Sequence, residues 1–271
     1  MTMLALSDRE LERAIAPCPI VVTPTTPMRA VGDEWIAWRQ TQANGCLASI
    51  DSIFVIEQER VVGWLPLECL LKERLQAVTG EESTGSVADG MVRSPIGLFQ
   101  GLLTDPFIPL THLKQLQTNG LPIVDADHCL IGHISNSSFI DVLPPSPLLS
   151  QRLAWEVAEP ALLMDVSTTW VDGAIALLEQ SATSVVICAE GQPIGYLTLG
   201  DWLSMGDAQP IADCLRPVVM ADTTASLATV RSLMQPPTDR VLLPPTDDTP
   251  RWRWVTAAAI LQIFHPSELC Q

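Results

Sequence analysis

Apolar residues recur along this chain in two alternating rhythms. Met28, Val31, Trp35 and Trp38 step by three, four and three, and Val171, Ala174, Ile175 and Leu178 occupy i, i+3, i+4 and i+7. That spacing lays an apolar stripe along one face of a helix. Leu110, Leu113 and Leu116 suggest another helix between them. The second rhythm is a short apolar run, a polar break and another apolar run, in Phe54–Leu65, Pro122–Ile134 and Val185–Leu197. Each predicts a strand, a turn and a strand. Val241–Pro245 followed by Trp252–Thr256 is a weaker fourth copy.

The copies carry shared marks. Gly63, Gly132 and Gly195 hold the same place in three hairpins, at intervals of 69 and 63 residues, and Arg253 stands there in the fourth. Thr25-Thr26, Thr168-Thr169 and Thr223-Thr224 precede helical patterns. The second threonine predicts an N-cap, because its hydroxyl can accept from an unpaired amide of the first turn. Pro27 suits the first helical position, and Asp172 suits the acidic place of a capping box begun by Thr169. The second copy enters its helix through Asp105-Pro106-Phe107-Ile108-Pro109, without the threonine pair.

Each unit thus reads as short strand, capped helix, strand, turn, glycine-bearing strand and short helix. This order, with Thr or Ser and then Asp after the glycine-bearing strand, resembles the cystathionine β-synthase (CBS) domain. Gly195–Leu203 matches best, and the four copies cover nearly the whole chain. The resemblance implies an α/β fold of tandem CBS domains, each a small mixed sheet with helices on one side, paired pseudo-symmetrically. The first pair would span 1–147, with repeats at about 15–75 and 88–143, and the second 148–271, with repeats at about 155–205 and 210–266. Pro144, Pro145 and Pro147 mark the division, since proline denies further helix or ladder bonding.

In that family the cleft between paired repeats often binds adenosine-containing nucleotides. An Asp at the start of the last helix holds the ribose, and a Thr or Ser three residues earlier meets phosphate. Only the third copy keeps both, as Thr198 and Asp201. The first has Pro66 and Cys69, the second Ser135 and Ser138, and the fourth Thr256 and Ala259. The resemblance also places Met164, Thr183 and Ser184 at the adenine and brings Arg216 and Arg253 towards a phosphate. Plain alternatives stand beside each role. Thr198 and Asp201 would cap a helix without any ligand, Met164 would be core packing, and Arg216 and Arg253 would be solvated surface charges.

Composition narrows the partners. Fifteen basic residues against 31 acidic ones give a net charge of −16, and nucleic acid or anionic lipid gains nothing from a surface of that sign. Lys72 and Lys114 are the only lysines, so a phosphate would rest on arginine, amides or hydroxyls. Expected partners are an AMP, ADP or ATP type of ligand, with S-adenosylmethionine a further candidate, and a protein partner or second copy. Hydrophobic residues make up 47% of the sequence, enough for packed domains. The seven cysteines form no CxxC pair and read as small buried hydrophobes of a reducing cytoplasm. No secretory signal, membrane-length apolar run, P-loop, GxSxG or HExxH is present, so an enzyme is not supported. His133 reads as structural, and Trp35, Trp38, Trp252 and Trp254 as core fillers or a partner surface.

Overall fold

The protein is described from a computed structural model for residues 12–18, 20–41, 52–81, 85–93, 98–99, 107–116, 120–234 and 238–264. In the first repeat β2 (Val21–Val22) runs parallel to β3 (Ser52–Glu57), with helix α1 (Met28–Thr41) crossing between them. A tight turn then returns β4 (Arg60–Pro66) antiparallel, and α2 (Leu67–Thr79) follows. Short α3 (Val87–Gly90) leads into β5 (Val92–Arg93), which adds to β4. The second repeat repeats the design with β6 (Leu98–Phe99), α4 (Phe107–Leu116), β7 (Gly120–Val124), β8 (Leu130–Ser135) and α5 (Asn136–Val142). Its outer strand is β1 (Ile15–Ala16), which the sequence reading places at the start of the first repeat. Helix α6 (Pro147–Gln151) bridges to the third repeat, β10 (Leu163–Asp165), α7 (Trp170–Glu179), β11 (Ser184–Ala189), β12 (Gln192–Thr198) and α8 (Leu199–Ser204). The fourth has α9 (Leu227–Leu233), β13 (Arg240–Leu243), β14 (Arg253–Thr256) and α10 (Ala257–Gln262). Its outer strand is β9 (Glu159–Pro160), which the sequence reading places in the third repeat.

The recurrent hairpin glycine has a steric cause. A Cβ on Gly132 would lie 2.7 Å from the Ala16 carbonyl oxygen, one on Gly195 would lie 2.8 Å from that of Arg216, and one on Gly63 would collide with that of Val92. In each case a connecting segment is laid directly on the glycine-bearing strand, where only a residue without a side chain fits. Arg253 pairs there with Pro160 and turns its guanidinium onto the Ala158 carbonyl (Nε to O, 2.9 Å) and over the Trp155 ring.

Helices meet helices across the two halves. One core joins the first and third repeats through Val31, Trp35, Leu67, Trp170, Leu177 and Trp202. The other joins the second and fourth through Leu113, Phe139, Leu227, Val230, Ile260 and Phe264. The expected division near 147 falls at the start of α6, whose Leu149 is buried in that second core.

Two local expectations are corrected. The buried stripe of α7 is Trp170, Gly173, Ala174 and Leu177, while Ile175 is exposed. The helix is rotated because Trp202 lies against Gly173, where a Cβ would collide with its ring. Trp170 and Trp202 lock this contact, each donating its indole N–H to the other's carbonyl, at 3.0 and 3.2 Å. Among the threonine pairs, Thr169 caps α7 by accepting from the Asp172 amide at 3.1 Å. Ser226, not Thr224, caps α9. Thr26 instead accepts from the Thr23 amide in the turn before α1, and Pro27 lies just outside that helix.

Candidate functional site

The start of β11 brings Thr183 and Ser184 to the wall of an open cleft of about 730 Å³. Its other walls are the β9–β10 segment, with Ala161 and Leu162, and the fourth repeat's Trp252 and Thr256. Ser184 is buried and Thr183 exposed, so together they present hydroxyls at different depths. The Thr183 carbonyl accepts from the Leu199 amide at 2.9 Å, and Ser184 faces Thr198 in the β11–β12 register. Thr256 accepts from the Ala259 amide at 3.1 Å, which caps α10. Glu159 and Arg251 line the cleft from exposed positions.

The pseudo-equivalent place on the other side of this half is closed. Arg240 faces Thr256 across β13–β14 as Ser184 faces Thr198, so Asp239 and Arg240 stand where Thr183 and Ser184 stand in the open cleft. Arg240 makes a two-toothed contact with Asp239 at 2.8 and 2.9 Å and lies over the Tyr196 and Trp254 rings. Beside it Thr198 and Asp201 form a reciprocal cap on α8. The Asp201 carboxylate accepts from the Thr198 amide at 2.9 Å and hydroxyl at 2.7 Å, and the Asp201 amide donates back to that hydroxyl at 3.2 Å.

Two guanidiniums hold the same carboxylate. Arg216 donates through Nε at 2.6 Å and Nη2 at 2.9 Å, and Arg39 of α1 donates through Nη2. The three side chains are 9%, 8% and 11% exposed for Arg216, Arg39 and Asp201. Burial alone would raise the Asp201 pKa, but Arg216, Arg39 and the Thr198 amide outweigh it and hold the carboxyl below the ordinary carboxylate range. Burial disfavours the Arg216 charge, and Asp201 more than restores it.

The sequence matches no protein-family model and no curated protein. Solved structures do match the fold. A Methanocaldococcus jannaschii protein proposed as an archaeal homologue of γ-AMPK superposes over 94% of this chain and 99% of its own, at 16% identity and a TM-score of 0.66. An uncharacterised conserved protein from Pyrococcus horikoshii covers 93% and 98% of the two chains at 12% identity and a TM-score of 0.54. The CBS-pair protein CBSX2 of Arabidopsis thaliana matches 52% of this chain with 94% of its own, at 21% identity and a TM-score of 0.38. The fold is that of tandem CBS pairs.

Within the four repeats the residues singled out from sequence fall into separate groups. Thr183 and Ser184 line the open cleft, opposite Thr256 of the fourth repeat. Thr198, Asp201 and Arg216 belong to the ion cluster, so Arg216 is not the surface charge considered for it. Met164 lies in the core shared by the first and third CBS repeats. Arg253 is engaged by Ala158 and Trp155, which also removes it from the class of solvated charges. Arg39 escaped the sequence reading because 162 residues separate it from Asp201 and no local pattern links them. Thr256 had a signal, since it aligns with Thr198, but the cleft takes walls from both repeats.

The tryptophans are structural or line the cleft. Trp35 is buried and donates to the Gly200 carbonyl at 3.4 Å, with Trp38 packed 5.4 Å from it. His133 is 2% exposed, and burial lowers its pKa to about 4. Burial raises the thiol of Cys18 to about 12. Cys46, Cys270 and His265 lie outside the described residues. Among the described residues no cluster of His, Cys, Asp and Glu could hold a metal ion, and no helix is long and apolar enough to cross a membrane.

Proposed function

We propose that this chain is a non-enzymatic regulatory CBS protein whose second module, 148–271, takes an adenine nucleotide and passes its state to a protein partner or a second copy. The open cleft carries this reading. Its volume suits a small organic ligand, its walls mix apolar residues with polar ones, and Thr183, Ser184 and Thr256 bring hydroxyl-bearing side chains to it. Trp252 supplies an aromatic surface against which a purine can stack. Thr198, Asp201 and Arg216 frame the pseudo-equivalent place, where a ribose would first have to displace two guanidiniums from Asp201.

His133 is enclosed and neutral at physiological pH, and burial raises Cys18 far above it, so neither supplies an activated base or nucleophile. A second reading, a ligand-free interaction scaffold, is favoured by the occupied Asp201 carboxylate and by Ala259, which leaves the open cleft without the corresponding carboxylate.

Calorimetric titration with AMP separates the two. Wild type should bind, and Thr183→Trp, which fills the cleft from an exposed position, should abolish binding while leaving the melting temperature unchanged. No heat at millimolar AMP gives the scaffold reading its place. Binding that Thr183→Trp leaves intact puts the nucleotide somewhere else.

A further inference from the structure

We infer that the open cleft of the second CBS pair selects adenine ligands bearing no more than one phosphate and discriminates against di- and triphosphates. This rests on the cleft being an adenine site, and it concerns what the site does with the phosphates. The ionisable side chains among its lining residues are Arg251 and Glu159, both exposed. Arg251 is the single cation there, enough to neutralise one phosphate charge. Glu159 opposes each further negative charge, and a chain of net charge −16 adds to that opposition.

The nearby cations do not change the count. Arg216 and Arg240 are buried and already paired with Asp201 and Asp239, and Arg253 is turned onto the Ala158 carbonyl. Ala259, itself buried, occupies the place that Asp201 holds in the third repeat, so binding to the open cleft leans on its aromatic and apolar walls. A cleft lined by Trp252 and Trp254, with one exposed cation and one exposed carboxylate among its described lining residues, rewards the base and the first phosphate and penalises the rest.

Titrations with adenosine, AMP, ADP and ATP, without divalent cations, test this. AMP should bind at least about tenfold tighter than ATP, with ADP between them, and raising the salt should narrow the gap as screening weakens the repulsion. Arg251→Gln should bring AMP to the affinity of adenosine, and Glu159→Gln should shrink the AMP-to-ATP ratio while leaving adenosine unchanged. ATP binding as tightly as AMP in the wild type overturns the inference while leaving an adenine site in place. A ratio unmoved by Glu159→Gln also overturns it. If none of the four ligands binds, the adenine site itself is lost, and the selectivity with it.

Discussion

The two clefts of the second CBS pair are framed by equivalent strand positions and filled in opposite ways. At one, Thr183 and Ser184 face open volume beside Trp252. At the other, Asp239 and Arg240 occupy the same register, and Asp201 is held by Arg216 and, from the first pair, by Arg39. The first place is open, while the second is closed by ion pairs. A repeated fold therefore does not imply repeated function, because Arg39, Arg216 and Arg240 with two aspartates make ion pairs at the place equivalent to the open cleft.

If the closed cleft is a fastening, the first pair should be needed for the second. Residues 148–271 alone would uncover the faces that Trp170, Leu177 and Trp202 bury against Trp35 and Leu67. Each large side chain so exposed loses about 1.5–3 kcal/mol. The fragment should unfold or self-associate, as read by light scattering and circular dichroism. A monomer with the near-ultraviolet spectrum of the folded chain would break the comparison.

Asp201→Asn should cost about 3–5 kcal/mol in urea denaturation, because it leaves two buried guanidiniums without their carboxylate. Thr183→Asn, at an exposed position of the open cleft, should cost less than about 0.5 kcal/mol. Equal losses would erase the distinction between the two places.

Acid separates the same cluster from the buried histidine. His133 has an ordinary pKa of 6.5 and a folded value of about 4. The unfolded chain therefore takes up the proton first, and about 3 kcal/mol should be lost as the pH falls from 6.5 to 4. Asp201 is depressed in the folded chain, so its contribution is complete above the ordinary carboxylate pKa near 3.8 and is lost as the pH falls below it through the folded value. Asp201→Asn should remove only the loss below about pH 4. An altered slope between 6.5 and 4 would contradict the assignment.

A smaller contrast lies in the turns. Gln58 and Glu59 hold φ of 50° and 67° where the third repeat has Glu190 and Gly191 at 52° and 76°. Glu59→Gly should stabilise the chain by about 0.5–1 kcal/mol, measured by thermal denaturation, since glycine enters the left-handed region without a Cβ clash.

The repeat architecture was legible because it is local. Hairpin runs, the glycine at one fixed place and the Thr169 cap each follow from neighbours within a few residues. The rotation of α7 was not, since it depends on Trp202 finding Gly173 rather than on the period of apolar positions. The candidate site was legible in part for the same reason. Thr183 and Ser184 could be named from the resemblance to the CBS domain, but Arg39, one of the two partners of Asp201, lies on α1, and other walls of the cleft come from Trp252 and Thr256.

The most direct test is the difference electron density of crystals soaked in AMP. A nucleotide should appear between Thr183 and Trp252, with Asp201 still bound to Arg216 and Arg39. A nucleotide whose ribose sits on Asp201, with those arginines displaced, would contradict this.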